Sequence, residues 1–110
     1  MSLVVNLYYT GENDSAKRFA EEMEKTGVAQ RIRNEPGNER YDYFQSLNDS
    51  ETILLIDQWR DQQALNAHHA SPMMHKLANL REKYDLHMRV ERYVTDVQGI
   101  PANDQKFIRK

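Results

Sequence analysis

The chain predicts an α+β fold with the element order β-α-β-β-α-β. Three observations carry this: apolar strands at each end, two helical repeats between them, and a polar hairpin turn in the middle. The 110 residues suit one domain. A chain of this size buries roughly 65% of its extended surface, enough for a modest core.

Leu3 to Thr10 (LVVNLYYT) is apolar on both alternating faces and rich in β-branched and aromatic residues, the pattern of a strand covered on both sides. Gly11 and the polar ENDS run break it, and one of Asn13, Asp14 or Ser15 is placed to cap a helix. Ala16, Phe19, Ala20 and Met23 recur at helical spacing, and Gly27 stops that helix. Residues 28–39 read as irregular, with Ile32 in a short strand and Glu35-Pro36-Gly37-Asn38 as a turn.

A hairpin follows. Tyr41 to Leu47 alternates with aromatics, Asn48-Asp49-Ser50-Glu51 turns, and Thr52 to Trp59 returns. Asp61 is placed to cap a helix carrying Leu65 and His68, and Ser71-Pro72 to start the next, with Met73, Leu77, Leu80 and Tyr84 on one face. Leu86, Met88, Val90 and Val94 alternate with His87, Arg89 and Glu91 in a half-buried last strand. The domain therefore spans residues 1–95. Residues 96–110 form a polar tail broken by Ile100, Phe107 and Ile108, which wraps a partner subunit, lids a pocket or stays free.

This order is the split βαβ arrangement of ferredoxin-like folds, an antiparallel sheet with two helices on one face. The first and third strands also look apolar on their other face. A single chain leaves that face wet, so two sheets are expected to pair into a homodimer.

Composition excludes several classes. The formal charge of −2 offers no basic stripe for nucleic acid or an anionic membrane surface. Zero cysteines leave no disulfide, thiolate nucleophile or thiolate metal site. The longest apolar run, Ile53–Ile56, cannot span a bilayer, and the start lacks signal-peptide character, so a cytoplasmic place is expected. The four glycines form no phosphate-binding loop. His68 and His75 are two helical turns apart, but Pro72 interrupts that helix and no carboxylate stands at i+3 or i+4, so no metal site is expected.

Candidate chemistry centres on the corner after Trp59. His68 is a candidate general base, because an unperturbed imidazole titrates near neutrality; its plainer role is a backbone or dimer-seam hydrogen bond. Trp59 either walls a pocket or plugs the core. Asn6, polar within an apolar strand, either orients a ligand or ties strands together. Tyr41, sharing a strand face with Tyr43, either binds a substrate oxygen or packs.

The chain resembles the antibiotic biosynthesis monooxygenase superfamily, the dimeric α+β barrels. The residues that carry the likeness are Glu35-Pro36-Gly37-Asn38, Tyr41, the apolar run 53–56, Trp59, Ala64-Leu65, His68 and Ser71-Pro72, in the family's order over about residues 3–95. The resemblance implies a cofactor-independent monooxygenase, without metal or flavin, that oxidises a small aromatic or quinol-like compound with O2. His68 would act as base, Asn6 and Tyr41 would orient oxygens, and Trp59 would cover the ring. An isomerase or lyase of a small carbonyl compound, and a non-catalytic ligand-binding dimer, are the alternatives on the same scaffold. Two departures stand out. Met73 occupies a position that is His in several quinol-type relatives. The haem-degrading branch carries Trp where this chain has His68, and its iron-binding His falls near Ala78, so haem degradation is not implied.

Overall fold

A computed structural model describes residues 1–110. The strands are β1 (Leu3–Thr10), β2 (Asn38–Gln45), β3 (Thr52–Trp59) and β4 (His87–Val94). They form one antiparallel sheet in the order β2-β3-β1-β4, the predicted ferredoxin-like topology. The helices are α1 (Ser15–Lys25), α2 (Val28–Arg33), α3 (Gln62–His69), α4 (Met73–Lys83) and a single turn, α5 (Ala102–Gln105).

Side chains alternate across the sheet. Leu3, Val5, Leu7 and Tyr9 of β1, and Ile53, Leu55, Asp57 and Trp59 of β3, point to the helix side and are buried. Phe19 and Met23 of α1 and Ile32 of α2 pack onto them with no exposed surface. The opposite face carries Val4, Tyr8, Leu54 and Ile56, each only half-buried, with the Arg89 guanidinium over the Tyr8 ring.

The structure corrects the reading of residues 28–39. Val28–Arg33 is a helix, and Ile32 lies on its buried face with Val28 and Ala29, a spacing of one helical turn. Gly27, at φ +83°, lets the chain leave α1 and start α2 at once. None of Asn13, Asp14 and Ser15 caps α1 with its side chain; Asn13 and Asp14 turn through left-handed backbone, and the Glu51 carboxylate accepts from Asp14 N–H at 3.2 Å. Ser71 does not cap α4 through its hydroxyl either, because its Oγ is buried without a partner. Asp61 does cap α3, accepting from Ala64 N–H at 2.8 Å. From Asp96 onward the tail exposes Val97, Ile100, Phe107 and Ile108.

Gly37 decides how the turn before β2 meets α3. Its φ is +85°, and a Cβ placed there would lie 2.5 Å from the Ala64 Cβ. Its carbonyl also accepts from Arg60 N–H at 2.8 Å, tying the turn to the start of α3. Gly37→Ala is therefore expected to cost about 1–3 kcal/mol from backbone strain and overpacking. Urea denaturation checks this; a midpoint equal to that of the wild type would show that the turn relaxes freely.

Candidate active site

The turn and helix fastened by Gly37 bring together two side chains 33 residues apart. His68 faces the sheet from α3, and its Nδ1 lies 2.8 Å from Oε2 of Glu35, the first residue of the turn. His68 is 3% exposed, and its ring stacks on Trp59 with centroids 4.8 Å apart and planes 26° from parallel. With Glu35 ionised, Nδ1 carries the hydrogen and donates it, and Nε2 is left with a free lone pair. This imidazole is held from behind by an aromatic ring and oriented by a carboxylate, the arrangement that prepares a general base.

His68 lines a cavity of about 240 Å³ between the helix-side face of the sheet and α3 and α4. Most of the lining is apolar: Val5, Leu7, Leu55, Leu65, Met74, Leu77, Met88 and Val90. The polar lining consists of Tyr41, Asp57, His68, His69, Arg81 and Arg92. The strand register sets Tyr41, Asp57, Val5 and Arg92 in one row across the four strands.

Burial dominates the titration of Asp57 and Tyr41. It pushes the Asp57 carboxyl from the ordinary 3.8 up to about 7, with the Glu35 charge adding to the rise. The Asn38 amide, which donates to Asp57 Oδ1 at 3.4 Å, and the Arg81 charge pull the other way. The Trp59 indole N–H also lowers it, approaching the carboxyl outside hydrogen-bond geometry. Burial raises the Tyr41 phenol well above its usual range, so its hydroxyl, 3.1 Å from that of Tyr43, keeps its proton. Burial likewise lowers His69, helped by the neighbouring His68.

Asp57 makes stability depend on pH. Its folded-state pKa is raised, so the folded protein binds the extra proton between about pH 4 and 7. The contribution is complete below that window and is lost as pH rises through it. Asp57→Asn removes the effect, so the variant is expected to gain on the order of 2–4 kcal/mol over the wild type between pH 4 and 8. Thermal melts of both proteins across that range measure it; parallel curves would place Asp57 in a wet, unperturbed environment.

A sequence model of the family described as antibiotic biosynthesis monooxygenase matches residues 2–80. The chain belongs to this family. Among curated proteins it is similar to one from Bacillus subtilis (strain 168) named "Putative monooxygenase YcnE", 26% identical over 66 residues, 60% of this chain and 67% of the other. Among solved structures, one named "Putative antibiotic biosynthesis monooxygenase from Nitrosomonas europaea" superposes with a TM-score of 0.75 at 19% identity, covering 86% of this chain and 89% of the other. SnoaB from Streptomyces nogalater, described as a cofactor-independent oxygenase, gives 0.72 at 15% identity, covering 86% and 93%. The two structural likenesses establish the shared fold.

On this antibiotic biosynthesis monooxygenase scaffold, two of the four singled-out residues meet. His68 and Tyr41 both line the cavity. Trp59 does not: it is wholly buried behind His68. Asn6 lies on the opposite sheet face, paired across from Ile56 and Glu91, with its Oδ1 buried and unbonded. The reason is parity, because the odd positions of β1 face the helices. Glu35, Asp57 and Arg81 were not singled out. Asp57 carried a signal, since it shares the alternating face of Ile53, Leu55 and Trp59. Glu35 carried one as the first residue of the turn that bears the family likeness, whereas Arg81 carried none, sitting in a charged run. No helix is long and apolar enough to cross a membrane.

Proposed function

We propose that the protein is a monooxygenase that needs neither metal nor flavin and oxidises a small aromatic or quinol-like compound with O2. The observation that carries the proposal is the His68–Glu35 pair on the wall of a mostly apolar cavity. Family membership supports the reaction type, and the fold shared with a described cofactor-independent oxygenase supports the absence of a cofactor.

His68 Nε2 takes a proton from an acidic C–H or O–H of the substrate, and Glu35 stabilises the imidazolium. The carbanion-like anion gives one electron to O2, and the resulting superoxide and carbon radical join as a carbon-bound peroxide. The peroxide recovers the proton from His68. Base removal of the remaining hydrogen on that carbon then breaks the O–O bond. One oxygen stays as a carbonyl, and the other leaves as water. The substrate supplies every electron, so the step balances without an external reductant. Tyr41, held protonated, donates to a substrate oxygen, and Trp59 fixes the His68 ring. The apolar lining keeps water away from the anion.

Oxygen-electrode measurements with metal-free, flavin-free protein against a panel of hydroquinones and anthrones test the reading. Uptake is expected on at least one member of the panel. No uptake anywhere would count against it.

One observation favours a second reading. Asp57, with its pKa raised to about 7, offers a proton donor in the same cavity as a base, the pair an isomerase or lyase of a small carbonyl compound uses. That enzyme would turn over without consuming oxygen. A dimer that only binds such a compound would do neither.

The half-buried apolar face of the sheet supports a homodimer built sheet against sheet. Light scattering at micromolar concentration is expected to give about twice the 13.0 kDa chain mass. A stable monomer there would contradict the sheet-on-sheet dimer.

A further inference from the structure

Two guanidinium groups line the cavity without a carboxylate partner. Arg81, on α4, donates to the Tyr9 hydroxyl through Nε at 3.2 Å and Nη2 at 2.8 Å, which fixes the fork and leaves Nη1 unused. Arg92, on the edge strand β4, donates to the Gln62 side-chain oxygen. Neither enters an ion pair, whereas Arg33, Arg40, Arg60 and Arg89 each do.

The acids of the site do not neutralise them. Glu35 is committed to His68. Asp57 stands in the same row as Arg92, but Val5 of β1 lies between them, so two strand spacings, about 10 Å, separate the pair. Asp57 feels the Arg81 charge, which lowers its pKa, but forms no salt bridge with it. Its burial keeps it partly protonated at neutral pH. The cavity therefore carries two guanidinium groups outside any ion pair, both near enough to His69 to lower its pKa, among largely aliphatic walls. A guanidinium fork matches a carboxylate in geometry, and the pairing is strongest in a partly desolvated site.

We propose that the cavity takes an aromatic carboxylate, its ring against Val5, Leu7, Leu55 and Leu77 and its carboxylate on Arg81 and Arg92. This names the substrate class of the site described above and rests on that cavity being the substrate site. The carboxylate anchors one end of the molecule, and the ring carbon to be oxidised lies toward His68.

The test is calorimetric, with 2-naphthoate and its uncharged isostere 2-naphthamide as the probes at neutral pH. The carboxylate is expected to bind about tenfold more tightly than the amide in the wild type. Arg81→Gln and Arg92→Gln are each expected to cut naphthoate affinity about tenfold and leave naphthamide within about twofold. Arg92 lies at the exposed edge of the sheet, so its variant stays informative if loss of the Arg81–Tyr9 contact perturbs the fold. Equal binding of the two probes, equal losses for both in the variants, or no binding of either would overturn the proposal. The outcome separates from the oxygen reading. Carboxylate preference without oxygen uptake on any substrate counts against the monooxygenase alone, and uptake on neutral quinols without that preference counts against this proposal alone.

Discussion

His68→Ala is expected to lower turnover by about 10²–10⁴-fold, the contribution of a positioned general base, while the secondary structure by circular dichroism stays that of the wild type. The side chain is buried, so its loss leaves Glu35 without its partner and strips one face of Trp59. That is expected to cost about 1–3 kcal/mol, which the domain survives with a lower melting temperature. His68→Gln separates chemistry from packing, because an amide can still donate to Glu35 but cannot carry a proton. It is expected to be as inactive as the alanine variant and closer to the wild type in stability. Glu35→Gln keeps the geometry and removes the charge that favours the imidazolium, with an expected loss of about 10–100-fold. Turnover near the wild-type rate in both His68 variants would remove this residue from the mechanism.

Trp59→Ala carries the largest expected effect on stability. The indole has no exposed surface and lies at the end of β3, beneath α3. Deleting a fully buried aromatic of this size costs about 3–5 kcal/mol, so the melting temperature is expected to fall by roughly 15 °C or more. Trp59→Phe keeps an aromatic face beneath His68 at a smaller cost. Because Trp59 holds His68 and does not line the cavity, Trp59→Phe is expected to lower kcat and leave KM near the wild-type value. A raised KM with unchanged kcat would instead place the indole against the substrate. Differential scanning calorimetry and steady-state kinetics on the two variants settle the assignment.

Much of this fold was legible because its strands are strongly patterned. β3 carries the apolar run 53–56 and ends in Trp59, β1 is apolar apart from Asn6 and Thr10, and the helical repeats at Ala16–Met23 and Met73–Tyr84 have the period of a helix. The miss at α2 has a local cause: six residues are too few for periodicity to distinguish a helix turn from a strand around one Ile. Asn6 lies away from the cavity for a different reason. A strand apolar on both faces gives no sign of which parity meets the helices, and only pairing with β3 and β4 decides it. His68 was visible from its place at the corner, but its carboxylate was not. Glu35 reads as a turn residue, and it reaches His68 only because Gly37 lets the turn fold onto α3. Arg81 sat in a run that resembles a solvated helix face, and its contact with Tyr9 spans 72 positions of sequence. Long-range side-chain pairing of this kind leaves no local trace.

The central claim is that one atom of O2 enters the organic product and the other becomes water, with His68 as the base. Mass spectrometry of the product formed under ¹⁸O₂ by metal-free, flavin-free protein tests it most directly. The account predicts a single labelled oxygen in the product, no hydrogen peroxide in solution, and labelled product formed about 10²–10⁴-fold more slowly with His68→Ala. A product free of label, or one formed equally well under nitrogen, would contradict it.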